Sequence, residues 1–172
     1  MVNQKEADRY NDGKPQFSLI SFSMFKDVYL YLKHIQHDNT EEKCLISLLD
    51  TLTKICESED EVVYKVLLPK LQALSYYLSL IYKRIPLFDT KLLDLRAFED
   101  MAKVLEYGTE KYSRDNWKKG YDNKFSTADS LYRHARQLII GETHDEESGL
   151  HHIGHIMCNV MFLTNDLLYV NR

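Results

Sequence analysis

Between Gly141 and Asp166 the chain reads GETHDEESGLHHIGHIMCNVMFLTND, and acids and imidazoles crowd together there. Glu142, Asp145, Glu146 and Glu147 lie in a turn-like segment and offer the hard oxygen donors that suit Mg²⁺ or Mn²⁺. His151, His152 and His155 add nitrogen donors, which shift the preference toward Mn²⁺ or a transition metal. His152 and His155 are three apart, so in a helix they share a face and can converge on one ion or phosphate. At roughly 100° per residue, His152, His155, Asn159 and Asp166 fall within an arc of about 60°. Ile153, Ile156, Met157, Val160, Leu163 and Leu167 fill the adjacent arc, which reads as core. The bland alternative is a helix start that is merely capped and solvated. A zinc-protease reading fails, because His151-His152-Ile153-Gly154-His155 has no Glu between the histidines. There is no G-x-S-x-G elbow, Walker A loop or GxGxxG either.

A second chemistry-bearing stretch is GTEKYSRDNWKKGYDNKF, residues 108–125. Lys111, Arg114, Lys118 and Lys119 can receive phosphates, while Tyr112 and Trp117 offer planar faces to a base. The competing reading is a solvated loop pinned by Trp117. His134, beside Arg133, sits at the edge of an apolar stripe, where a lone histidine is usually structural. Near the N-terminus, Asp12-Gly13-Lys14-Pro15 is a turn composition in an otherwise polar leader.

Helices must position these groups, because a chain that is 44% hydrophobic with only six Gly and three Pro favours helices over a turn-rich β architecture. Apolar spacing predicts helices over 16–37, from after Asn39 to 57 with Glu42 as capping-box partner, and over 59–83 with Pro69 kinking or splitting it. Further helices are expected over 90–107 with Gly108 as C-cap, from Ser126 or Thr127 to 140, and from about 151 to 166. Val62 and Val66 of the third helix, and Leu92 and Leu95 of the fourth, are expected to face inward. The expected fold is all-α, a compact bundle of about five or six helices in one domain, with 21–88 as a helical insertion or oligomerisation segment. Net charge near −4 gives no broad basic surface, so duplex nucleic acid is not an expected partner. Three widely spaced cysteines read as buried thiols in a reducing compartment. With no signal-like N-terminus and no uncharged run of about 18 residues, the expectation is a cytoplasmic chain without membrane partners.

Five linked segments carry a family resemblance: Asp12-Gly13-Lys14-Pro15, Val104-Leu105-Glu106-Tyr107-Gly108-x-x-Lys111-Tyr112, Asn116-Trp117-x-x-Gly120, Arg133-His134, and Gly141-Glu142-x-x-Asp145-x-Glu147-Ser148-Gly149-Leu150-x-His152-x-x-His155. Together they resemble the phage and bacterial dATP/dGTP diphosphohydrolase-like family, itself similar in outline to MazG-type all-α NTP pyrophosphohydrolases. The resemblance covers 12–20 and about 91–166 and leaves 21–88 unexplained. It implies hydrolysis of a deoxynucleoside triphosphate, dATP or dGTP, to monophosphate and pyrophosphate with Mg²⁺ or Mn²⁺. The chain departs from the MazG pattern in lacking clear ExxE and ExxD pairs, and His152-x-x-His155 is the nearest helical counterpart.

On that reading Glu142, Asp145, Glu147, His152 and His155 are the expected metal ligands, with Glu147, His152, His155 and His134 catalytic. Lys14, Lys111 and Arg133 meet phosphate oxygens, Trp117 or Tyr112 stacks the base, and Asn116 makes polar contacts. Two other readings stay open: a metal phosphohydrolase of the histidine-aspartate type, built on His144-Asp145, and a non-catalytic nucleotide-binding or helical interaction module. A homo-oligomer is the expected assembly.

Overall fold

A computed structural model describes residues 14–35, 40–87 and 92–170. Among these, six α-helices and no strand are present, so the fold is all-α. Helix α2, Glu41–Glu57, starts at Thr40, whose side chain accepts the Lys43 N–H, and carries acids in its first turn and Lys54 in its last, as the helix dipole favours. Helix α3, Glu61–Tyr82, is capped by Asp60, which accepts the Val62 N–H at 2.8 Å. Pro69 lies inside α3 without splitting it. The missing N–H costs one backbone bond, but Leu68 and Leu71 on either side are fully buried and hold both halves in one path. Val62 and Val66 are 66% and 52% exposed, so the inward face of α3 is narrower than the spacing suggested.

Two other expectations are corrected. The single helix over 16–37 is instead two 3₁₀ turns, Phe17–Leu19 and Phe22–Phe25, followed by helix α1, Val28–Ile35. Arg114 donates to both the carbonyl and the hydroxyl oxygen of Ser18, and the Ser21 and Ser23 hydroxyls pair with each other. The turn lets Phe22 and Phe25 meet Phe98 edge-on at 5.0 and 5.2 Å. The fourth helix is a 3₁₀ turn, Leu95–Phe98, leading into α4, Glu99–Lys111. Gly108 is an interior residue of α4, and Tyr112 is the C-cap, its N–H donating to the Gly108 carbonyl. Leu92 and Leu95 are exposed, because α4 proper begins only after them. Asp12, Gly13, Asn39 and Thr90 lie outside the described residues.

Helix α5, Lys124–Ile139, starts earlier than expected, at Asn123, whose side chain accepts the Ser126 N–H. Helix α6, His152–Asn165, follows and runs into a π-helical turn, Asp166–Val170. Almost every α6 side chain is buried, and α6 packs against α3, α4 and α5, with α2 closing against α3 and α5. Leu68, Leu71 and Leu78 of α3 therefore share one hydrophobic core with Ile153, Ile156 and Val160. Gly154 sets the approach of α4 to α6, since a Cβ there would meet the Asp100 carbonyl oxygen at 2.5 Å. The helical run 152–170 is long and apolar enough to cross a membrane by length and composition alone, but 61% of that window is buried inside the bundle and Asp166 interrupts it. The three cysteines are free thiols, with Cys44 and Cys158 buried and Cys56 half-buried.

Candidate metal centre and its flanking cavities

The loop joining α5 to α6 folds back as a tight hairpin. Gly141 and Gly149, at φ +89° and +69°, supply the two left-handed turns that other residues resist. Backbone bonds from Asp145 N–H to Leu150 O and from His152 N–H to Thr143 O, both 2.8 Å, close it. Asp145 is thereby brought over the first turn of α6, opposite the middle of α5. There the donor atoms of His134, Asp145 and His152 lie within 4.8 Å of one another. Nδ1 of His134 is 2.8 Å from Nδ1 of His152, close enough for a hydrogen bond or, with both nitrogens bare, for two lone pairs to share one cation.

Protonation states are compatible with either arrangement. Burial, reinforced by His155 and His152 nearby, pushes His134 down to about 4, and burial also lowers His152. Both rings are therefore neutral at pH 7. Burial works to raise the Asp145 carboxyl, but the N–H and hydroxyl of Ser148 outweigh it and hold the group below its ordinary range. His152 is only 2% exposed, and its Nε2 has no hydrogen-bond partner. Neutral imidazole nitrogens beside an ionised carboxylate fit a divalent cation, and with Nδ1 of His152 bare its buried Nε2 carries the ring proton.

The expected site residues separate into groups. Asp145 and His152 meet as expected, and His134 joins them in place of His155. His155 instead stacks on His134 at 4.4 Å and 10°, with Nε2 2.9 Å from the Ser148 hydroxyl and 4.0 Å from Asp145 Oδ2. Glu147 is exposed and ion-paired to Lys111, so each satisfies the other's charge. Glu142 is exposed and outside the three-donor cluster. Lys14 is exposed and lines neither cavity beside the centre.

The first of these cavities, about 410 Å³, is lined by Tyr112, Asn116, Trp117, Tyr121 and His155. The second, about 1070 Å³ and open to solvent, is lined by Arg136, Gln137, Glu142, Glu146 and His152. Arg133, His134, Asp145 and Glu147 line both, whereas His152 lines only the second. Trp117 is 6% exposed and stacks on Phe162 at 5.7 Å, while Asn165 holds its carbonyl. Its ring is thus a packing anchor with one face already used, and Tyr112, 63% exposed, is the freer planar surface. Other cations of the loop are engaged: Arg114 on Ser18, Lys118 on Asp115 and Lys119 on the side-chain oxygen of Asn116. Arg133 and Arg136, three apart on α5, form no ion pair among the described residues. Sequence reasoning gave no site role to Arg136 or to Ser148, although the first shares a helix face with Arg133 and the second stands at the Asp-x-x-Ser spacing of a side-chain-closed turn.

A family model described as "dATP/dGTP diphosphohydrolase, N-terminal" matches residues 83–169. A protein named dATP/dGTP diphosphohydrolase from Salmonella phage PMBT28 is 38% identical over 72 residues. That alignment covers 42% of this chain and 24% of the relative, so the chain spans about a quarter of the relative's length. No solved structure matches the chain.

Proposed function

The chain belongs to the dATP/dGTP diphosphohydrolase N-terminal family, and from that premise we propose that it hydrolyses a deoxynucleoside triphosphate, dATP or dGTP, to the monophosphate and pyrophosphate with a divalent metal. The observation that carries the reading is the convergence of His134, Asp145 and His152 within 4.8 Å beside two cavities, His134 and Asp145 lining both and His152 the larger. The smaller cavity is of a size for a nucleoside. Tyr112 would stack on the base there, with Asn116 offering polar contacts. Arg133 and Arg136 would meet the phosphates in the open groove, where bidentate guanidinium contacts suit phosphate oxygens. Lys111 is freed for such a contact only if Glu147 lets it go.

His134, Asp145 and His152 are the residues that would hold Mg²⁺ or Mn²⁺. When bound, such an ion supplies charge neutralisation and a more acidic water. The protein's own share is orientation: phosphoryl transfer depends on positioning and charge stabilisation more than on covalent help. His155, outside the ligand cluster but lining the nucleoside-sized cavity, is placed to accept a proton.

The His-Asp-His donor set also favours a second reading, the histidine-aspartate type of phosphohydrolase, since no paired-carboxylate set is present among the three donors. Product analysis separates the two. With dATP or dGTP and Mg²⁺ or Mn²⁺, pyrophosphate and the monophosphate support the first reading, whereas triphosphate and the deoxynucleoside support the second. Nucleotide binding without turnover under either metal leaves only a binding module. The setting we infer is the host cytoplasm of a phage infection. Self-association, for which exposed Ile46, Val62 and Val66 offer apolar surface, is checked by mass in solution.

A further inference from the structure

Ser148 is the most heavily engaged side chain in the hairpin, and its bonds point in one direction. Asp145 Oδ2 receives both the N–H and the hydroxyl of Ser148 at 2.9 Å. The Ser148 oxygen in turn lies 3.2 Å from the Leu150 N–H and 2.9 Å from Nε2 of His155. Proton counting orders this chain. An ionised carboxylate only accepts, so the single hydroxyl proton of Ser148 goes to Asp145. The two lone pairs of Ser148 Oγ then take the Leu150 N–H and a proton on Nε2 of His155. His155 is consequently held as the Nε2–H tautomer, with Nδ1 bare. Asp145 Oδ2 is fully occupied, while Oδ1 makes no hydrogen bond among the described residues.

We propose that Ser148 is a positioning residue that fixes Asp145 as a metal ligand through Oδ1 and sets the tautomer of His155. Partners that orient a ligating carboxylate are worth about 10- to 100-fold in metal affinity. The role rests on the metal reading of His134, Asp145 and His152 given above. It assigns His155 a place outside the ligand set, as a ring with a bare Nδ1 that lines the nucleoside-sized cavity, and it gives the histidine stack a fixed polarity.

The test is Mn²⁺ binding by the whole chain, measured by electron paramagnetic resonance without nucleotide, together with the ¹⁵N signature of His155. Ser148→Ala keeps the backbone N–H bond to Asp145 and loses only the hydroxyl. It should weaken Mn²⁺ binding about 10- to 100-fold and leave His155 a mixture of tautomers, with an unchanged circular dichroism spectrum. Ser148→Thr, which restores the hydroxyl, should return both readouts close to those of the parent chain. Unchanged Mn²⁺ affinity and an unchanged His155 signal in Ser148→Ala overturn the inference while leaving the metal reading standing. No Mn²⁺ binding by the parent chain instead overturns the metal reading, and the ligand-positioning role with it.

Discussion

Helix α5 carries two buried polar clusters about ten residues apart, and they are finished differently. At its start Lys124, 8% exposed, donates to the Ser58 carbonyl at 2.5 Å, to Glu59 at 2.8 Å and to the Tyr64 hydroxyl at 3.1 Å. That ammonium has three donors and uses all of them, and it ties α5 to the carbonyl end of α2. In the middle of α5, His134 meets His152, whose Nε2 is sealed from solvent without a partner. A buried polar group left unsatisfied costs about 1–3 kcal/mol. The fold meets that requirement at Lys124 and leaves it open at His152. One cluster is a closed structural clasp, and the other sets two neutral histidine nitrogens 2.8 Å apart beside Asp145, an arrangement that can take a ligand.

The comparison can be broken most sharply at its open end. His152→Ala should abolish Mn²⁺ binding and lower nucleotide turnover by at least about 1000-fold, since metal and positioning act as one unit, while thermal stability stays close to that of the parent. A large loss of stability instead would make His152 a core residue and erase the contrast. Gly154→Ala, two residues on, forces a methyl against the Asp100 carbonyl; overpacking of this kind costs about 1–3 kcal/mol, read by chemical denaturation.

At the closed end, Lys124→Met removes one donor from the Ser58 carbonyl, which keeps the Tyr64 hydroxyl, and strips the Glu59 carboxylate of its ammonium; it should cost about 2 kcal/mol with Mn²⁺ affinity untouched. Reduced metal affinity in that variant would show that the two clusters are coupled. The pH dependence has a definite sign. Burial works to lower the Lys124 pKa, but Glu59 and Tyr64 outweigh it and raise it above 10.5. A raised lysine contributes stability that is full below the unfolded value and is lost as pH rises through the folded value. The parent and Lys124→Met should therefore converge in stability only above about pH 10.5, as followed by thermal melts across pH. The mildest change is Tyr112→Ala, which should raise KM for dATP about 10-fold through lost stacking and leave Mn²⁺ binding alone. Equal binding of dATP by variant and parent would move the base to another surface.

Much of this was legible in residue order. The stripe Ile153, Ile156, Met157, Val160 repeats at helical spacing over a segment buried nearly all round, so periodicity located α6 and placed His152 on its first turn. Gathered acids and histidines likewise marked the hairpin. Around 16–37 the same reasoning failed, because an arginine from 96 residues away takes the Ser18 carbonyl, and no local window contains that arginine. Gly108 was misread for a related reason: a glycine can end a helix or continue it, and downstream packing decides.

What the sequence alone determined is the all-α class, the core faces of α5 and α6, and the pool of donors near the α6 start. Each of these depends on spacing within one segment. Which donors meet was decided only in three dimensions. His134 is 18 residues from His152 and lies on another helix, yet their nitrogens are 2.8 Å apart. Glu147, only two residues from Asp145, is drawn outward by Lys111. Ligand geometry depends on angstrom distances between elements, and those are set by how closely helices pack and how the hairpin turns back, neither of which a single segment's periodicity contains.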